Sequence, residues 1–310
     1  MSESSTAARA VTHPPLLIAL LKGMRPKQWI KNLLLFAGLV FTLNERWRLF
    51  SPEMWRYLAR STAAFALFSL VSSTVYLLND VRDVEKDRQH PTKRNRPIAS
   101  GALPAKLAVA IALVLMPALL VASYFLSVPF FAVVAAYLVM QFGYVFLLKE
   151  VVLVDVFIIA IGFVMRAVAG TVVLGAQISP WLYTVTLLGA LFLGLCKRRN
   201  ELVLLEGRAV HHRKILELYT APLLDSLTSI VASSTIMAYS LYTFTAPTLP
   251  PNNRMMLTVP FVIFGMFRYL YLAHSKNAGG SPEEVFLKDK HLIVTIVLWI
   301  VATSLILGFR

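Results

Sequence analysis

Residues 73–101 read STVYLLNDVRDVEKDRQHPTKRNRPIASG. The stretch holds four acidic and six basic side chains, directly after an apolar run (56–80) long enough to cross a bilayer. Outside this boundary the chain repeats mostly the apolar half. Of its 310 residues 57% are hydrophobic and 15% charged, and mean hydropathy is +0.68. Soluble domains carry roughly 25% charged residues, so the composition argues for an integral membrane protein.

Further runs of spanning length fall at 29–43, 105–126, 129–148, 151–174, 181–200, 219–245, 256–274 and 291–309, which makes nine candidate helices. The first is short, and RPKQWIKN (25–32) reads as its amphipathic start. An all-α bundle of nine transmembrane helices is therefore the expected fold, with a disordered tail over 1–15 and a single transmembrane catalytic domain over 16–310. LLIALL (16–21) is too short for a convincing signal-peptide core.

The basic residues test the count. With the N-terminus in the cytoplasm, 22 lysines and arginines fall on the inner side. Six (Arg46, Arg48, Arg56, Arg60, Arg254 and Arg310) fall outside. That bias agrees with nine helices and an N-terminus inside. Net charge is +14. In a soluble protein this would suggest nucleic acid. In a membrane protein it sets topology and meets anionic headgroups or a phosphorylated substrate. No nucleic-acid module or Gly-rich nucleotide loop is present, so no nucleic-acid partner is expected. The single cysteine, Cys196, excludes an intramolecular disulfide and a cysteine metal cluster.

In the opening stretch Tyr76, Asn79, Asp83 and Asp87 are spaced three, four and four apart, which places them on nearly one helix face. Asp80 is adjacent. Hard oxygen ligands beside the basic loop HPTKRNRP suit Mg²⁺, which takes one or two carboxylates and completes its shell with water and phosphate oxygens. A solvated helix end, paired to Arg82, Lys86 and Arg88, is the bland reading of the same residues.

NDVRDVEKD (79–87) resembles the N-D-x-x-D-x-x-x-D motif of the UbiA superfamily of membrane prenyltransferases, and the nine-helix plan extends the resemblance over nearly the whole chain. The resemblance implies an all-helical bundle with a central cavity, open to the membrane and capped by cytoplasmic loops. It also implies that Asn79, Asp83 and Asp87 hold Mg²⁺ against a substrate diphosphate, with the active site facing the cytoplasm of a cell (inner) membrane.

The chain departs from the family after helix six. A second aspartate-rich motif is usual there, but this sequence reads LGLCKRRNELVLLEG (193–207). Lys197, Arg198 and Arg199 replace the carboxylates, and Glu201 is the nearest acid. Cations favour direct contact with an anion such as a phosphate monoester. An i, i+4 pair between Lys197 and Glu201 is the plain alternative. RPKQWIKN, CKRRNE and EEVFLKDKHL together resemble one branch of the superfamily. It joins 5-phosphoribosyl 1-diphosphate (PRPP) to a polyprenyl (decaprenyl) phosphate and releases diphosphate, giving a lipid-linked precursor of cell-wall arabinose donors.

On that resemblance Asn79, Asp83 and Asp87 take catalytic and metal roles. Substrate-binding candidates are Lys31, Tyr76, Asp80, Lys93, Arg94, Lys149, Arg166, Lys197 and Glu201. Arg166 is the most telling, because a charge at membrane depth is a functional-site hypothesis by default. It shares a helix face with Asp155, Ile159 and Gly162. No general base is needed, since a lipid phosphate is already anionic at pH 7. His211 and His212 read as surface, and 277–284 reads as a flexible loop that caps the site. A prenyltransferase acting on an aromatic acceptor and a transporter are the competing classes. A homo-oligomer stays open, because few lipid-facing small-residue motifs mark an interface.

Overall fold

The computed structural model describes residues 14–148, 150–205, 214–247, 249–275 and 282–308. Lys149, His211, His212 and most of the 277–284 loop lie outside the described residues, as does most of the 1–15 tail. Among the described residues the regular structure is helical, apart from one isolated bridge between Leu43 and Trp47.

The α-helices are α1 (Leu16–Gly23), α2 (Ala37–Phe41), α3 (Pro52–Arg82), α4 (Val84–Gln89), α5 (Ala105–Leu126), α6 (Val128–Gly143) and α7 (Val154–Val172). They continue with α8 (Pro180–Leu205), α9 (Ala221–Thr245), α10 (Val259–Ser275), α11 (Pro282–Lys288) and α12 (Lys290–Gly308). Eight helical segments are long and apolar enough to cross a membrane, from Pro52–Arg82 to Lys290–Gly308. They correspond to eight of the nine runs expected from sequence. The remaining run, 29–43, is built differently: Pro26–Phe36 is a 3₁₀ helix, followed by the short α2. The chain is a multi-pass membrane protein.

Helix ends follow local chemistry. The Thr220 hydroxyl accepts from the N–H of Leu223 and caps α9, as a threonine at that position does. Arg60 donates to the carbonyls of Val173 (3.0 Å) and Leu126 (3.2 Å). It thereby satisfies acceptors that helix termini leave open.

Two compact units make up the chain. The first comprises Met1–Pro26 and Leu70–Ala118, the second Lys27–Ser69 and Leu119–Arg310. In the first unit Ala19, Leu77, Ile98, Leu103 and Ala108 form the core, and Ser73 donates to the carbonyl of Met24 at 2.8 Å. In the second, α7, α8 and α9 pack through Val156, Ala160, Leu191, Leu195 and Leu224. There α2 and the 3₁₀ segment lie backbone-to-backbone on α7. A Cβ on Gly170 would stand 1.9 Å from the Leu35 carbonyl oxygen, and one on Gly38 2.7 Å from that of Gly170. Only glycine admits so close an approach. Large apolar side chains such as Phe125, Val139 and Leu147 point outward, as lipid contact requires.

Candidate active site

In the first unit α3 ends at Arg82 and α4 begins at Val84, with Asp83 as the cap between them. The i→i+4 ladder runs through this junction. The Asp83 N–H donates to the Asn79 carbonyl at 3.0 Å, and the Asp87 N–H to that of Asp83 at 2.8 Å. The expected row Asn79–Asp83–Asp87 is therefore kept on successive turns. Asn79, Asp83 and Tyr76 are half-buried.

The other carboxylates on this segment have specific partners. Asp80, 2% exposed, is ion-paired to Arg25 and accepts from Arg96 Nη1 at 3.0 Å. The same Nη1 donates to Asp87 Oδ2 at 2.6 Å, and Asp87 is buried as well. Arg25 stacks over the Tyr76 ring at 5.0 Å. Arg96 thus clamps the helix end against the basic loop. Beside it, His90 Nδ1 accepts from the N–H groups of Thr92 (3.2 Å) and Lys93 (3.3 Å), which shapes that loop. Lys93 is half-buried and Arg94 exposed.

This donor set can be weighed against Mg²⁺. Among the described residues no three His, Cys, Asp or Glu side chains come together as a metal cage. Asn79 and Asp83 are hard oxygen donors one turn apart, and Asp87, one turn further, is engaged with Arg96. Few protein ligands, with the rest of the shell supplied by water and phosphate oxygens, is the arrangement Mg²⁺ accepts. The residues fit an ion that arrives with a diphosphate.

The second unit holds Lys31, Arg166, Lys197 and Glu201. Lys31 Nζ donates to Gln28 Oε1 at 2.5 Å. Arg166, 6% exposed, donates from Nε to Asn32 Oδ1 (2.6 Å), from Nη1 to the Gly162 carbonyl (2.6 Å) and from Nη2 to the Tyr137 hydroxyl (3.2 Å). The rings of Phe68, Tyr137 and Phe163 surround its guanidinium at 5.1–5.8 Å. Its hydrogen-bond partners are all neutral. Gly162 makes room for it, since a Cβ there would stand 3.3 Å from Arg166 Nη1.

Asp155, on the same face of α7, does not meet Arg166. It binds Arg198 Nε at 2.6 Å and the Tyr219 hydroxyl at 2.9 Å. Arg198 also pairs with Glu201. Tyr219 in turn accepts from the Leu153 N–H at 2.7 Å, and burial pushes its hydroxyl pKa up to about 12. Arg199 pairs with Asp225. Two cations of the CKRRNE segment are therefore fastened to acids on their own or neighbouring helices. Lys197 is half-buried on α8.

Sequence reasoning missed Arg25, Arg96, Asn32, Tyr137 and Asp225. Arg96 stands in the same basic loop as Lys93 and Arg94, nine residues from Asp87, so no helical spacing marked the pair. Asn32 and Tyr137 reach Arg166 from remote segments and carry no local mark.

The fold and these charged helix ends define a family. The model for the "UbiA prenyltransferase family" matches residues 34–288, and the chain belongs to that family. It is 35% identical over 301 residues to the decaprenyl-phosphate phosphoribosyltransferase of Mycobacterium tuberculosis (strain CDC 1551 / Oshkosh), covering 96% of this chain and 98% of that protein. The protein of that name from Corynebacterium glutamicum is 35% identical over 290 residues, 91% of this chain and 84% of its own length. Among solved structures, a UbiA homolog from Archaeoglobus fulgidus bound to GPP and Mg²⁺ superimposes with a TM-score of 0.69. It does so at 14% identity, over 94% of this chain and 99% of that one. That likeness establishes the fold.

Proposed function

We propose that this chain transfers 5-phosphoribose from PRPP to a polyprenyl phosphate, decaprenyl phosphate being the lipid of its relatives, and releases diphosphate. End-to-end likeness to the decaprenyl-phosphate phosphoribosyltransferases carries this reading. The sequence of α8 agrees with it: cations, two of them tied to acids, stand where a second carboxylate motif would hold a second metal.

In the transfer, the bond from C1 of the ribose to the diphosphate oxygen breaks and diphosphate leaves with the electron pair. An anionic oxygen of the lipid phosphate forms the new bond to C1. Mg²⁺, when bound, supplies charge that stabilises the leaving diphosphate. Asn79 and Asp83 would hold it. Asp87 orders the row through Arg96, and Asp80 fixes Arg96 and Arg25 in place. Lys93 and Arg94 bind phosphate oxygens beside this row.

In the second unit, Arg166, Lys197 and Lys31 are assigned to the remaining anions, the 5-phosphate and the lipid phosphate, and Glu201 orients the α8 cations. Lys149 keeps the lipid-phosphate role that its boundary position suggests. Catalysis rests on positioning and electrostatics. Residues of α3 and α5 fall in both units, which supports one catalytic domain over 16–310. The positive charge bias supports a cytoplasmic position for the charged helix ends at a cell membrane.

The test is a pair of incubations of purified protein with Mg²⁺. One contains labelled PRPP and decaprenyl phosphate, the other a polyprenyl diphosphate and aromatic acids. Label entering the lipid phase in the first, and lost with EDTA, is the expected result. Product only in the second would replace the reading with prenyl transfer. Asp83→Asn is expected to reduce phosphoribosyl transfer by at least about 10²-fold, the scale of removing a charge-stabilising group, while leaving the melting temperature unchanged. Collapse of the protein would instead make Asp83 a structural ion-pair residue.

A further inference from the structure

Two buried arginines of the second unit receive the same contact at the same atom. Arg198 Nε donates to Asp155 Oδ2 at 2.6 Å, and Arg166 Nε donates to Asn32 Oδ1 at 2.6 Å. One acceptor is a carboxylate, the other a neutral amide of nearly the same shape. Asn32 is 1% exposed, and both ends of its amide are engaged, since Nδ2 donates to Ser69 Oγ at 2.9 Å. An aspartate there could accept from Arg166 and from the Ser69 hydroxyl alike. The amide therefore does the orienting work of a carboxylate without supplying its charge.

The 3₁₀ form of Pro26–Phe36 explains how Asn32 reaches this position. Asn32 and Leu35 are the buried residues of that segment, and three residues apart they eclipse in a helix with three residues per turn. The Leu35 carbonyl is seated on Gly170, where a Cβ would stand 1.9 Å from its oxygen. From Asn32 to Leu35 the 3₁₀ axis rises about 6 Å, at roughly 2.0 Å per residue. From Arg166 to Gly170 the α7 axis rises about 6 Å as well, at roughly 1.5 Å per residue. The two spacings match, so the Leu35–Gly170 contact brings Asn32 level with Arg166. An α-helix over the same residues would rise only about 4.5 Å and turn Asn32 about 60° off the Leu35 face.

We infer that Asn32 is a positioning residue: it aims the Arg166 guanidinium and leaves the charge to a substrate phosphate, whose place an aspartate at position 32 would take as internal counter-ion. The inference rests on the proposed phosphoribosyl transfer, in which the lipid phosphate and the 5-phosphate of PRPP share this chemistry. It is tested with full-length protein in detergent with Mg²⁺, comparing wild type with Asn32→Asp and Asn32→Ala. Each is measured for its melting temperature and for KM with decaprenyl phosphate and with PRPP. Binding is read separately from turnover, as the thermal shift from decaprenyl phosphate beyond that from the neutral alcohol decaprenol, and as the shift from PRPP.

Asn32→Asp is expected to melt at or above the wild-type temperature, because it adds a carboxylate beside a buried cation. Its KM for decaprenyl phosphate should nevertheless rise about ten-fold or more, the scale of one charge-assisted hydrogen bond, and its phosphate-dependent thermal shift should fall. A rise confined to PRPP would support the same role with the 5-phosphate as the anion. Asn32→Ala should melt lower than Asn32→Asp yet show the smaller rise in KM, since it loosens Arg166 without neutralising it. The reverse order, with alanine the more damaging to KM, would overturn the inference in favour of packing, because aspartate keeps the shape of asparagine. Wild-type KM for both substrates in Asn32→Asp, or its failure to fold, would also overturn it. Wild-type protein with no PRPP transfer would instead reject the underlying reading. The phosphate-dependent thermal shift of wild type against Asn32→Asp would then still decide the role of Asn32.

Discussion

Arg198 on α8 and Arg166 on α7 are both buried in membrane-spanning helices, and their charges meet different surroundings. Arg198 lies between two carboxylates, Asp155 and Glu201. Arg166 lies among an amide oxygen, a carbonyl, a hydroxyl and three aromatic rings. A buried charge is costly unless compensated. Arg198 is compensated by the fold itself. Arg166 is oriented by the fold through three hydrogen bonds and three rings, and among the described residues no carboxylate pairs with it. Such a group is preorganised for an anionic ligand, which is why we assign it to a substrate phosphate and leave Arg198 out of the binding set.

The largest expected effect tests the compensated member. Arg198→Ala leaves Asp155 and Glu201 facing a gap, and breaking a buried pair this way costs about 3–5 kcal/mol. Thermal melting in detergent should show it as loss of the folded protein. Arg198→Leu combined with Asp155→Leu should recover much of that stability, because removing both partners of a buried pair is often neutral. Failure of the double variant to recover would show that Arg198 does more than neutralise Asp155.

A change at Arg166 should separate activity from stability. Arg166→Gln keeps hydrogen-bonding capacity but loses the charge. We expect a fall of about 10²-fold in transfer, the scale of losing one electrostatic stabiliser. The KM for the lipid phosphate should rise more than that for PRPP, and the melting temperature should fall less than in Arg198→Ala. Equal stability loss in the two variants would erase the contrast between them.

Arg199 gives the smallest effect. Its partner Asp225 is 40% exposed and is shared with His274 Nε2 at 3.1 Å. Asp225→Asn should cost less than about 1 kcal/mol, as partly exposed pairs do, with phosphoribosyl transfer retained. A loss as large as that of Arg198→Ala would mean that burial does not set the ranking.

Much of this was legible in the residue order. The spacing of Asn79, Asp83 and Asp87 anticipated the single row that the backbone ladder preserves across the α3–α4 junction. Arg166 was conspicuous because a charge in an apolar run is conspicuous anywhere. What stayed hidden were the partners. Asp155 shares a helix face with Arg166, and its partner is Arg198, 43 residues away. Lys197, Arg198 and Arg199 read alike in sequence. Arg198 and Arg199 turn out to be ion-paired to Asp155, Glu201 and Asp225. Arg96 was passed over beside Lys93 and Arg94, although it is the one that clamps Asp80 and Asp87.

The sequence alone therefore determined the membrane class, the helical architecture and the acidic row. These depend on hydropathy and on the 3.6-residue period, which are local properties of the chain. The tertiary structure alone decided which charges neutralise one another, which glycines make contact, and that residues 26–36 form a 3₁₀ segment packed onto α7. Each of these depends on the approach of segments remote in sequence, where a few tenths of an ångström at Gly170 or a carboxylate on a neighbouring helix sets the outcome.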